Sequence, residues 1–346
     1  MPAPSPSTDT PTPATTTVVA HHRYGPPEVL VAERAPMPVA GADEVVLAVE
    51  AVAVSRAEAA FRAARPAVAR LATGLLRPRR PVLGGDVGGR VLAVGAGVTH
   101  LRPGDRVLAQ TGIAMGGYAR HLRAPATAVL PVPDGVPTPE AVALAEGGST
   151  ALPFVRDHAR VRPGTRLLVN GASGAVGAAA VQLAAHLGAE VTGVCSTDHV
   201  ELVRSLGAAS VVDRTRTPLE ALAGPYDVVL DAVGTSSFRR CRHLLAPGGS
   251  YLTTVPGAGI LVRTALRPVL RGPLLRGPLG GRTAAIAFTG LRPAADRLAD
   301  VRHLLDLAAA GAVRGVVDRT WPLEEAAAAH AYVDTGRKAG TVLLLP

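Results

Sequence analysis

A run of small residues, Gly171-Ala172-Ser173-Gly174-Ala175-Val176-Gly177, joins an apolar stretch at 166–170 to an alanine-rich stretch. Small side chains let the backbone turn tightly and approach a pyrophosphate, which the first N–H groups of a following helix would bind. Gly177 would let that helix pack closely on the strand. Because the run lies between a predicted strand and a predicted helix, it indicates a dinucleotide site, with a turn needed only for packing as the alternative.

The end of the next predicted strand carries the residues that would select the cofactor. NAD-binding proteins normally place Asp or Glu there, where the carboxylate holds the ribose hydroxyls. This chain has Cys195-Ser196-Thr197, whose hydroxyls can bind a 2′-phosphate without repelling it, and Arg214 can add a positive charge. Asp198 is an acid within possible reach and argues the other way. The pattern favours NADPH over NADH and leaves NADH as the alternative.

The cysteine count excludes a zinc site built from cysteine. Cys195 and Cys241 are the only cysteines and form no C-x-x-C pattern. His21 and His22 are adjacent, but no further ligands are indicated, so both are expected to be exposed histidines. The lack of a disulfide framework fits a reducing compartment, and we expect a cytoplasmic protein without a bound metal.

The elements that must position these residues follow two patterns that meet near Pro139. Before it, short runs at 44–54, 89–94 and 106–109 with frequent turn residues predict a mostly-β domain. After it, predicted strands at 166–170, 190–194, 210–213, 226–231 and 250–255 alternate with helices at 175–187 and 199–206. This alternation predicts a doubly wound parallel sheet. Two helices, at 138–146 and 150–158, should precede it, and a helix at 323–333 and a strand at 341–345 should end the chain.

Composition limits the partners. Residues 1–17, rich in Pro, Ser and Thr, predict a disordered tail and not a signal peptide. The net charge of +9 comes from scattered arginines with few aromatic side chains between them, which argues against nucleic-acid binding. The arginine-rich segment 257–282 is too short and too charged to cross a bilayer. We expect a surface flap or subunit contact there, with weak membrane contact or a substrate lid as alternatives.

Several sequence blocks occur in the order found in the zinc-independent medium-chain dehydrogenase/reductases, and the chain resembles their quinone oxidoreductase and enoyl reductase branch. The blocks are Tyr24-Gly25-Pro26-Pro27-Glu28-Val29-Leu30, Val91-Leu92-Ala93-Val94-Gly95-Ala96-Gly97-Val98, Pro103-Gly104-Asp105-Arg106-Val107, Gly116-Gly117-Tyr118-Ala119, the run 171–177, Ser205-Leu206-Gly207-Ala208, Tyr226-Asp227-Val228-Val229-Leu230-Asp231-Ala232-Val233-Gly234 and Pro247-Gly248-Gly249. They cover nearly everything after the tail.

The resemblance implies an α/β protein in which a Rossmann doubly wound parallel sheet is inserted in a GroES-like, mostly-β catalytic domain. Residues 18–137 and 316–346 would form the catalytic domain, and residues 138–315 the dinucleotide-binding domain. It also implies a homodimer, a small electrophilic substrate bound in the cleft, and a set of residues along the cofactor. These are Thr150 near the nicotinamide, then Ser173, Gly174, Ala175, Val176, Ser196, Thr197, Arg214 and Val233.

Departures from the family bear on the chemistry. Zinc-containing relatives carry a ligand cysteine at position 55 and a Gly-His-Glu motif where this chain has Gly84-Gly85-Asp86, so a zinc-dependent alcohol dehydrogenase is rejected. Zinc-free relatives usually have Asn at 55 and Asp at 58, and some enoyl reductases have a tyrosine at 60. Here these positions are Ser55, Glu58 and Ala60.

Without a metal, we expect hydride transfer from a reduced nicotinamide to a quinone or an α,β-unsaturated carbonyl. Ser55 is the candidate substrate-facing hydrogen-bond donor, with packing or helix capping as the alternative. Tyr118 is the candidate proton donor, with a core-covering role as the alternative. Asp86 is either a general base or a loop-holding carboxylate. A binding or regulatory module without turnover, and a nonstandard enzyme of specialised metabolism, remain competing hypotheses.

Overall fold

The computed structural model describes residues 14–65, 70–265 and 281–346. Most of the predicted tail, residues 1–13, and most of the arginine-rich segment, residues 266–280, lie outside the described residues. The prediction of a tail through residue 17 is wrong in its last part, because a strand begins at Thr15 and pairs with residues 31–36. None of the helices within the described ranges combines the length and the apolar character needed to span a bilayer.

Fifteen strands and nine α-helices are formed by these ranges of the chain. The strands are β1 (Thr15–Ala20), β2 (Val31–Pro36), β3 (Glu44–Val54), β4 (Asp86–Val94), β5 (Arg106–Gln110), β6 (His121–Pro125), β7 (Val129–Pro131), β8 (Arg166–Asn170), β9 (Glu190–Cys195), β10 (Ser210–Asp213), β11 (Tyr226–Asp231), β12 (Leu245–Thr253), β13 (Thr283–Ile286), β14 (Val317–Pro322) and β15 (Thr341–Leu345). The helices are α1 (Arg56–Ala63), α2 (Arg70–Thr73), α3 (Thr138–Pro153), α4 (Ala175–His186), α5 (Val200–Ser205), α6 (Phe238–Cys241), α7 (Ala258–Ala265), α8 (Ala294–Ala309) and α9 (Ala326–Asp334).

The first sheet has seven strands in the order β14-β15-β3-β4-β5-β7, with β6 also paired to β3. Strand β3 is the long central strand, and nearly every residue from Val45 to Val54 is buried or half-buried. The C-terminal strand β15 pairs antiparallel with β3 and parallel with β14. The end of the chain therefore completes the domain that the first third of the chain begins.

The second sheet has six parallel strands in the order β10-β9-β8-β11-β12-β13. Numbered within this unit, the order is 3-2-1-4-5-6, the arrangement of a Rossmann sheet. The strand order reverses between β8 and β11, and ligands of such sheets bind in the crevice beyond the carboxyl ends at that point. The glycine-rich run begins at this position, directly after β8.

Helix α3 joins the two sheets, and the prediction of two separate helices here is wrong. The Gly147-Gly148 pair lies inside one continuous helix, which ends in a π-helical turn at Phe154–His158. A Cβ on Gly147 would lie 2.3 Å from the carbonyl oxygen of Ala175, and one on Gly148 would lie 2.7 Å from Leu304. The glycines therefore permit close packing against α4 and α8, a tertiary reason that local turn propensity does not contain.

Candidate active site

The glycine-rich turn has the shape that a dinucleotide requires. Gly171 has φ +80°, and helix α4 begins at Ala175 after Gly174, whose position provides no side-chain cap. A Cβ on Gly177 would lie 2.1 Å from the carbonyl oxygen of Gly171, so no side chain fits there. No side chain caps the first N–H groups of α4, which lie at the carboxyl edge of the sheet.

Asp231, which sequence reasoning did not single out, holds the neighbouring loop. It is fully buried at the end of β11. Its carboxylate accepts hydrogen bonds from the Asn170 amide (3.0 Å), the Tyr251 hydroxyl (2.9 Å) and the backbone N–H groups of Val233 (3.2 Å), Gly234 (2.9 Å) and Ser236 (3.0 Å). This network sets Val233 beside Gly171. A Cβ on Gly171 would lie 2.5 Å from the Val233 side chain. The sequence does contain a signal for this role, because Asp231 ends an apolar strand and is followed by Ala232-Val233-Gly234.

The predicted cofactor-selecting residues meet at the ends of β9 and β10. The Thr197 hydroxyl donates to the Asp213 carboxylate at 2.7 Å and lies 2.8 Å from the Thr215 hydroxyl. The backbone N–H of Arg214 donates to the carbonyl of Cys195 at 2.8 Å, and the Arg214 side chain is exposed. Hydrogen bonds from Thr215 and Thr197 hold the pKa of Asp213 below its usual range. The structure thus adds Asp213, an ionised carboxylate, to the group that sequence reasoning identified.

Ser55 caps helix α1. Its hydroxyl oxygen accepts from the N–H of Glu58 at 3.1 Å, and the Glu58 carboxylate accepts from the N–H of Ser55 at 2.8 Å. This reciprocal pair is a capping box, and it matches the capping alternative for Ser55. A further role of Ser55 as a substrate donor stays a prediction.

Tyr118 is not placed to donate a proton to a substrate, which corrects the sequence-based expectation. The side chain is completely buried, with 0% of its surface exposed. Its hydroxyl donates to the Glu58 carboxylate at 3.1 Å and lies 2.9 Å from Nε2 of His330. Burial, followed by the charge of Glu58, raises the pKa of Tyr118 well above its ordinary value. The ring covers the core, as the alternative proposed.

Glu58 of this cluster is buried, and the carboxyl group of Asp86 nearby is half-buried. Burial raises the pKa of Glu58 to about 7, with a further contribution from Asp86 and opposition from three hydrogen bonds. Burial also raises the pKa of Asp86 to about 6, although a hydrogen bond from Gln110 at 3.1 Å opposes the shift. Burial lowers the pKa of His330 to about 3, so this imidazole is neutral.

A third acid, Glu146, lies on α3 directly before Gly147, which packs on Ala175. The Glu146 carboxylate on α3 accepts from the Thr341 hydroxyl at 2.9 Å, and its other oxygen lies 3.9 Å from Nζ of Lys338. Gly340 follows Lys338 by two residues, and its N–H donates to the carbonyl of Ser173 at 2.7 Å. The C-terminal segment therefore contacts the glycine-rich turn directly, which no local pattern indicated. Thr150 lies one turn beyond Glu146.

The residues present do not fit the zinc ion of related enzymes. The Ser55 hydroxyl oxygen is engaged in the cap, and Gly85 has no side chain to offer. In the part of the chain that the structure describes, no group of three or more His, Cys, Asp or Glu side chains is arranged to hold a metal ion. His21 is buried against the Pro81 carbonyl at 2.7 Å, so the expectation of exposure is wrong for it, whereas His22 is exposed.

A Rossmann sheet joined to a mostly-β domain, with an uncapped glycine-rich turn at their junction, defines a dinucleotide-dependent oxidoreductase class. Residues 41–134 match the family described as "Alcohol dehydrogenase GroES-like domain", and residues 206–344 match "Zinc-binding dehydrogenase". The chain is 31% identical to a zinc-type alcohol dehydrogenase-like protein of Schizosaccharomyces pombe, over 75% of this chain and 76% of that protein. It is 29% identical to a chloroplast envelope quinone oxidoreductase homolog of Arabidopsis thaliana, over 90% of this chain and 92% of that one.

The chain therefore belongs to the medium-chain dehydrogenase/reductases of the quinone oxidoreductase and enoyl reductase type, and it is an NAD(P)H-dependent reductase. This confirms the resemblance and the fold expected from the sequence. A mycobacterial protein solved in complex with NADPH superposes with a TM-score of 0.76 at 25% identity, covering 96% of this chain and 100% of that chain. The chain is also 33% identical, over 77% of its length, to the pikromycin polyketide synthase component PikAII of Streptomyces venezuelae, but spans only 7% of that protein.

Proposed function

We propose that this protein is an NADPH-dependent, zinc-independent reductase that delivers hydride to a quinone or an α,β-unsaturated carbonyl. The observation that carries the proposal is the turn at 171–177, which has no side-chain cap and no room for a side chain at Gly177. The cofactor, when bound, supplies the hydride, and the chain supplies orientation and hydrogen bonds.

The chain's own residues would hold the cofactor in two places. The backbone N–H groups of Ala175, Val176 and Gly177 would bind the pyrophosphate at the start of α4. Val233 would line the same crevice, since the Asp231 network sets it beside the turn. Thr150 would lie toward the nicotinamide, where its hydroxyl is 3.5 Å from that of Thr289.

Preference for NADPH is supported by the charges at the β9 edge. The exposed Arg214 guanidinium and the hydroxyl of Ser196 suit a 2′-phosphate. The Thr197 hydroxyl donates to Asp213 at 2.7 Å, and the ionised carboxylate of Asp213 opposes an added phosphate, so Arg214 would have to outweigh it. The related mycobacterial protein was solved with NADPH, which agrees with this preference.

An apolar rim supports a lipophilic acceptor. Ile113, Phe288 and Leu291 are exposed. Arg297 lies between the loop of Ile113 and the loop of Phe288 and Leu291. Its guanidinium is 3.0 Å from the place that a Cβ on Gly112 would take, and it donates to the carbonyl of Gly290 at 3.1 Å. Thr289 lies in the same loop, and its hydroxyl is 3.5 Å from that of Thr150, so the apolar side chains would border the nicotinamide if Thr150 lies beside it. A quinone or enone with apolar substituents fits this surface.

The test begins with fluorescence titration of the metal-free protein with NADPH and NADH, followed by NADPH oxidation at 340 nm with a panel of quinones and enones. We expect tighter binding of NADPH and turnover with at least one acceptor. The variant Arg214→Gln should weaken NADPH binding about tenfold and leave NADH binding unchanged, as expected for one lost phosphate contact. Failure to bind either cofactor overturns the proposal, and tight binding without turnover favours the binding-module hypothesis.

We further propose a homodimer through the β13 edge of the six-stranded sheet, since β13 pairs only with β12 in the described sheet. Analytical ultracentrifugation tests this, and a monomer at micromolar concentration refutes it.

A further inference from the structure

Lys338 is the only lysine among the 36 basic residues of the chain. Its side chain is 8% exposed, and its Nζ has no hydrogen-bond partner among the described residues. An ammonium group carries three donors, and burying it with all three unused is unfavourable. The carboxylate of Glu146 at 3.9 Å balances the charge but is too far away to accept a hydrogen bond. The site thus lacks an acceptor that a ligand oxygen would supply.

The pair lies beside the glycine-rich turn, and Glu146 lies one helical turn before Thr150 on α3. Lys338 precedes Gly340, whose N–H donates to the carbonyl of Ser173 in the cofactor turn at 2.7 Å. Glu146 precedes Gly147, which packs on Ala175 at the start of α4. Both charged residues therefore belong to segments that contact the cofactor turn, one from the end of the chain and one from α3.

The charge of Glu146 also reaches the acids of the catalytic domain. Burial is the main reason that the pKa values of Asp86 and Tyr118 are raised, and the charge of Glu146 adds to both shifts. The Thr341 hydroxyl donates at 2.9 Å to the Glu146 oxygen that does not pair with Lys338. Lys338 therefore lies 3.9 Å from a carboxylate whose charge reaches Asp86, the residue at the position of the Gly-His-Glu motif.

We propose that Lys338 is a catalytic residue, whose ammonium group hydrogen-bonds the carbonyl oxygen of the acceptor and supplies the proton that completes its reduction. This rests on the proposed function. For an enone, a reduced nicotinamide would supply the hydride that forms a C–H bond at the β-carbon. The C=C pair then becomes a double bond between the α-carbon and the carbonyl carbon, and the C=O pair moves onto the oxygen, which gives an enolate. One N–H bond of Lys338 breaks as its proton passes to the enolate oxygen, the resulting enol tautomerises to the saturated ketone in water, and solvent reprotonates the amine.

The use of lysine at this position has a chemical reason. The chain uses arginine at every other basic position, yet a guanidinium is not deprotonated in proteins and is a poor proton donor. A primary amine can both pair with Glu146 and release a proton. A cationic group needed only for charge would not require this exception.

A labelling experiment tests contact with the acceptor without relying on turnover. N-hydroxysuccinimide acetate can acetylate only Lys338 and the α-amino group, so peptide mass spectrometry gives the Lys338 rate with an internal reference. We expect NADP⁺ plus cyclohexanone, an unreactive carbonyl, to slow Lys338 acetylation at least about fivefold beyond NADP⁺ alone, with the reference unchanged. Equal rates in the two conditions overturn the proposal.

Kinetics of variants provide the second test, with Arg337→Met as the exposed neighbouring control. Lys338→Met should lower kcat for an enone by about 100-fold, the usual scale of proton donation, and leave the NADPH Kd within about twofold. Lys338→Arg should leave KM unchanged and lower kcat, because a guanidinium keeps the positive charge but is a poor proton donor. Lys338→Met alone leaves the Glu146 carboxylate without its cation, which can destabilise the fold. The double variant Lys338→Met/Glu146→Gln removes both charges, so it measures the fall in kcat without an unpaired buried charge.

The outcomes separate the two proposals. A wild-type chain without turnover on any quinone or enone overturns the proposed function and this inference together. Wild-type turnover that is retained in the Lys338 variants overturns this inference alone. An NADPH Kd that weakens as much as kcat/KM falls would make Lys338 a cofactor contact and also refute its role with the acceptor.

Discussion

The buried carboxyl of Glu58 makes the stability of the protein depend on pH in a defined direction. Glu58 is 5% exposed, and its three hydrogen-bond donors are the neutral N–H groups of Ser55 and Gly85 and the hydroxyl of Tyr118. Burial raises its pKa from 4.5 to about 7. Between these values the folded state holds a proton that the unfolded state has released, so the free energy of unfolding falls as pH rises.

The size of the effect follows from the two pKa values. A pKa difference of one unit is worth about 1.4 kcal/mol, so the full loss across the window is roughly 3 to 4 kcal/mol. Between pH 5 and pH 8, Glu58 accounts for roughly 2 to 3 kcal/mol of lost stability by the same relation. Asp86, with its pKa raised to about 6, acts in the same direction and remains present when Glu58 is changed.

The perturbation is Glu58→Gln, which is neutral at both pH values. In this variant the amide faces backbone N–H groups, which lowers the free energy of unfolding by the same amount at both pH values. The constant loss cancels when the free energy of unfolding of each protein at pH 5 is compared with its own value at pH 8. Urea denaturation followed by fluorescence of Trp321, the only tryptophan and a neighbour of the same core, measures the difference. The exposed Glu28→Gln is the control. If Glu58→Gln keeps the entire wild-type difference between pH 5 and pH 8, the reasoning fails.

Three further outcomes are expected. Tyr118→Phe should lower the free energy of unfolding by about 1–3 kcal/mol, because two buried partners lose the hydroxyl, and should leave kcat near the wild-type value; a large kcat loss in a protein of unchanged stability would contradict the buried role. Gly177→Ala should abolish NADPH binding in a fluorescence titration, because its Cβ would lie 2.1 Å from the Gly171 carbonyl oxygen, whereas Gly257→Ala, in open space, should bind normally. Prolonged dialysis against 1,10-phenanthroline should leave turnover unchanged, and a loss restored by Zn²⁺ would refute the zinc-independent mechanism.

The dinucleotide-binding half was predictable because its signals are local. Strands β8, β10 and β11 begin and end at the predicted residues, since parallel strands covered on both faces appear as short apolar runs between turn residues. The glycine-rich turn was equally clear, because tight turning and close approach require small residues at particular positions of the chain.

Elements that depend on distant partners were missed. Gly147-Gly148 resembled a helix boundary, yet both glycines lie within α3 and pack against Ala175 and Leu304. Helix α8 was not predicted, although two of its residues, Val301 and Leu305, are buried in the core between α3 and the seven-stranded sheet. The sequence of α8 shows helical periodicity, but the apolar face of this helix can be interpreted only when β3 and β15 are known to pack near it.

The amino-acid sequence by itself determined the fold class, the family and the position of the cofactor turn, because these follow from periodicity and from residue size along a continuous segment. Tertiary structure alone decided the chemistry of the cleft. Burial removed Tyr118 from contact with substrate and raised the pKa of Glu58, while folding brought Lys338 to within 3.9 Å of Glu146, far away along the chain. Charge, burial and hydrogen bonding depend on three-dimensional neighbours, and a linear sequence does not specify which residues those are.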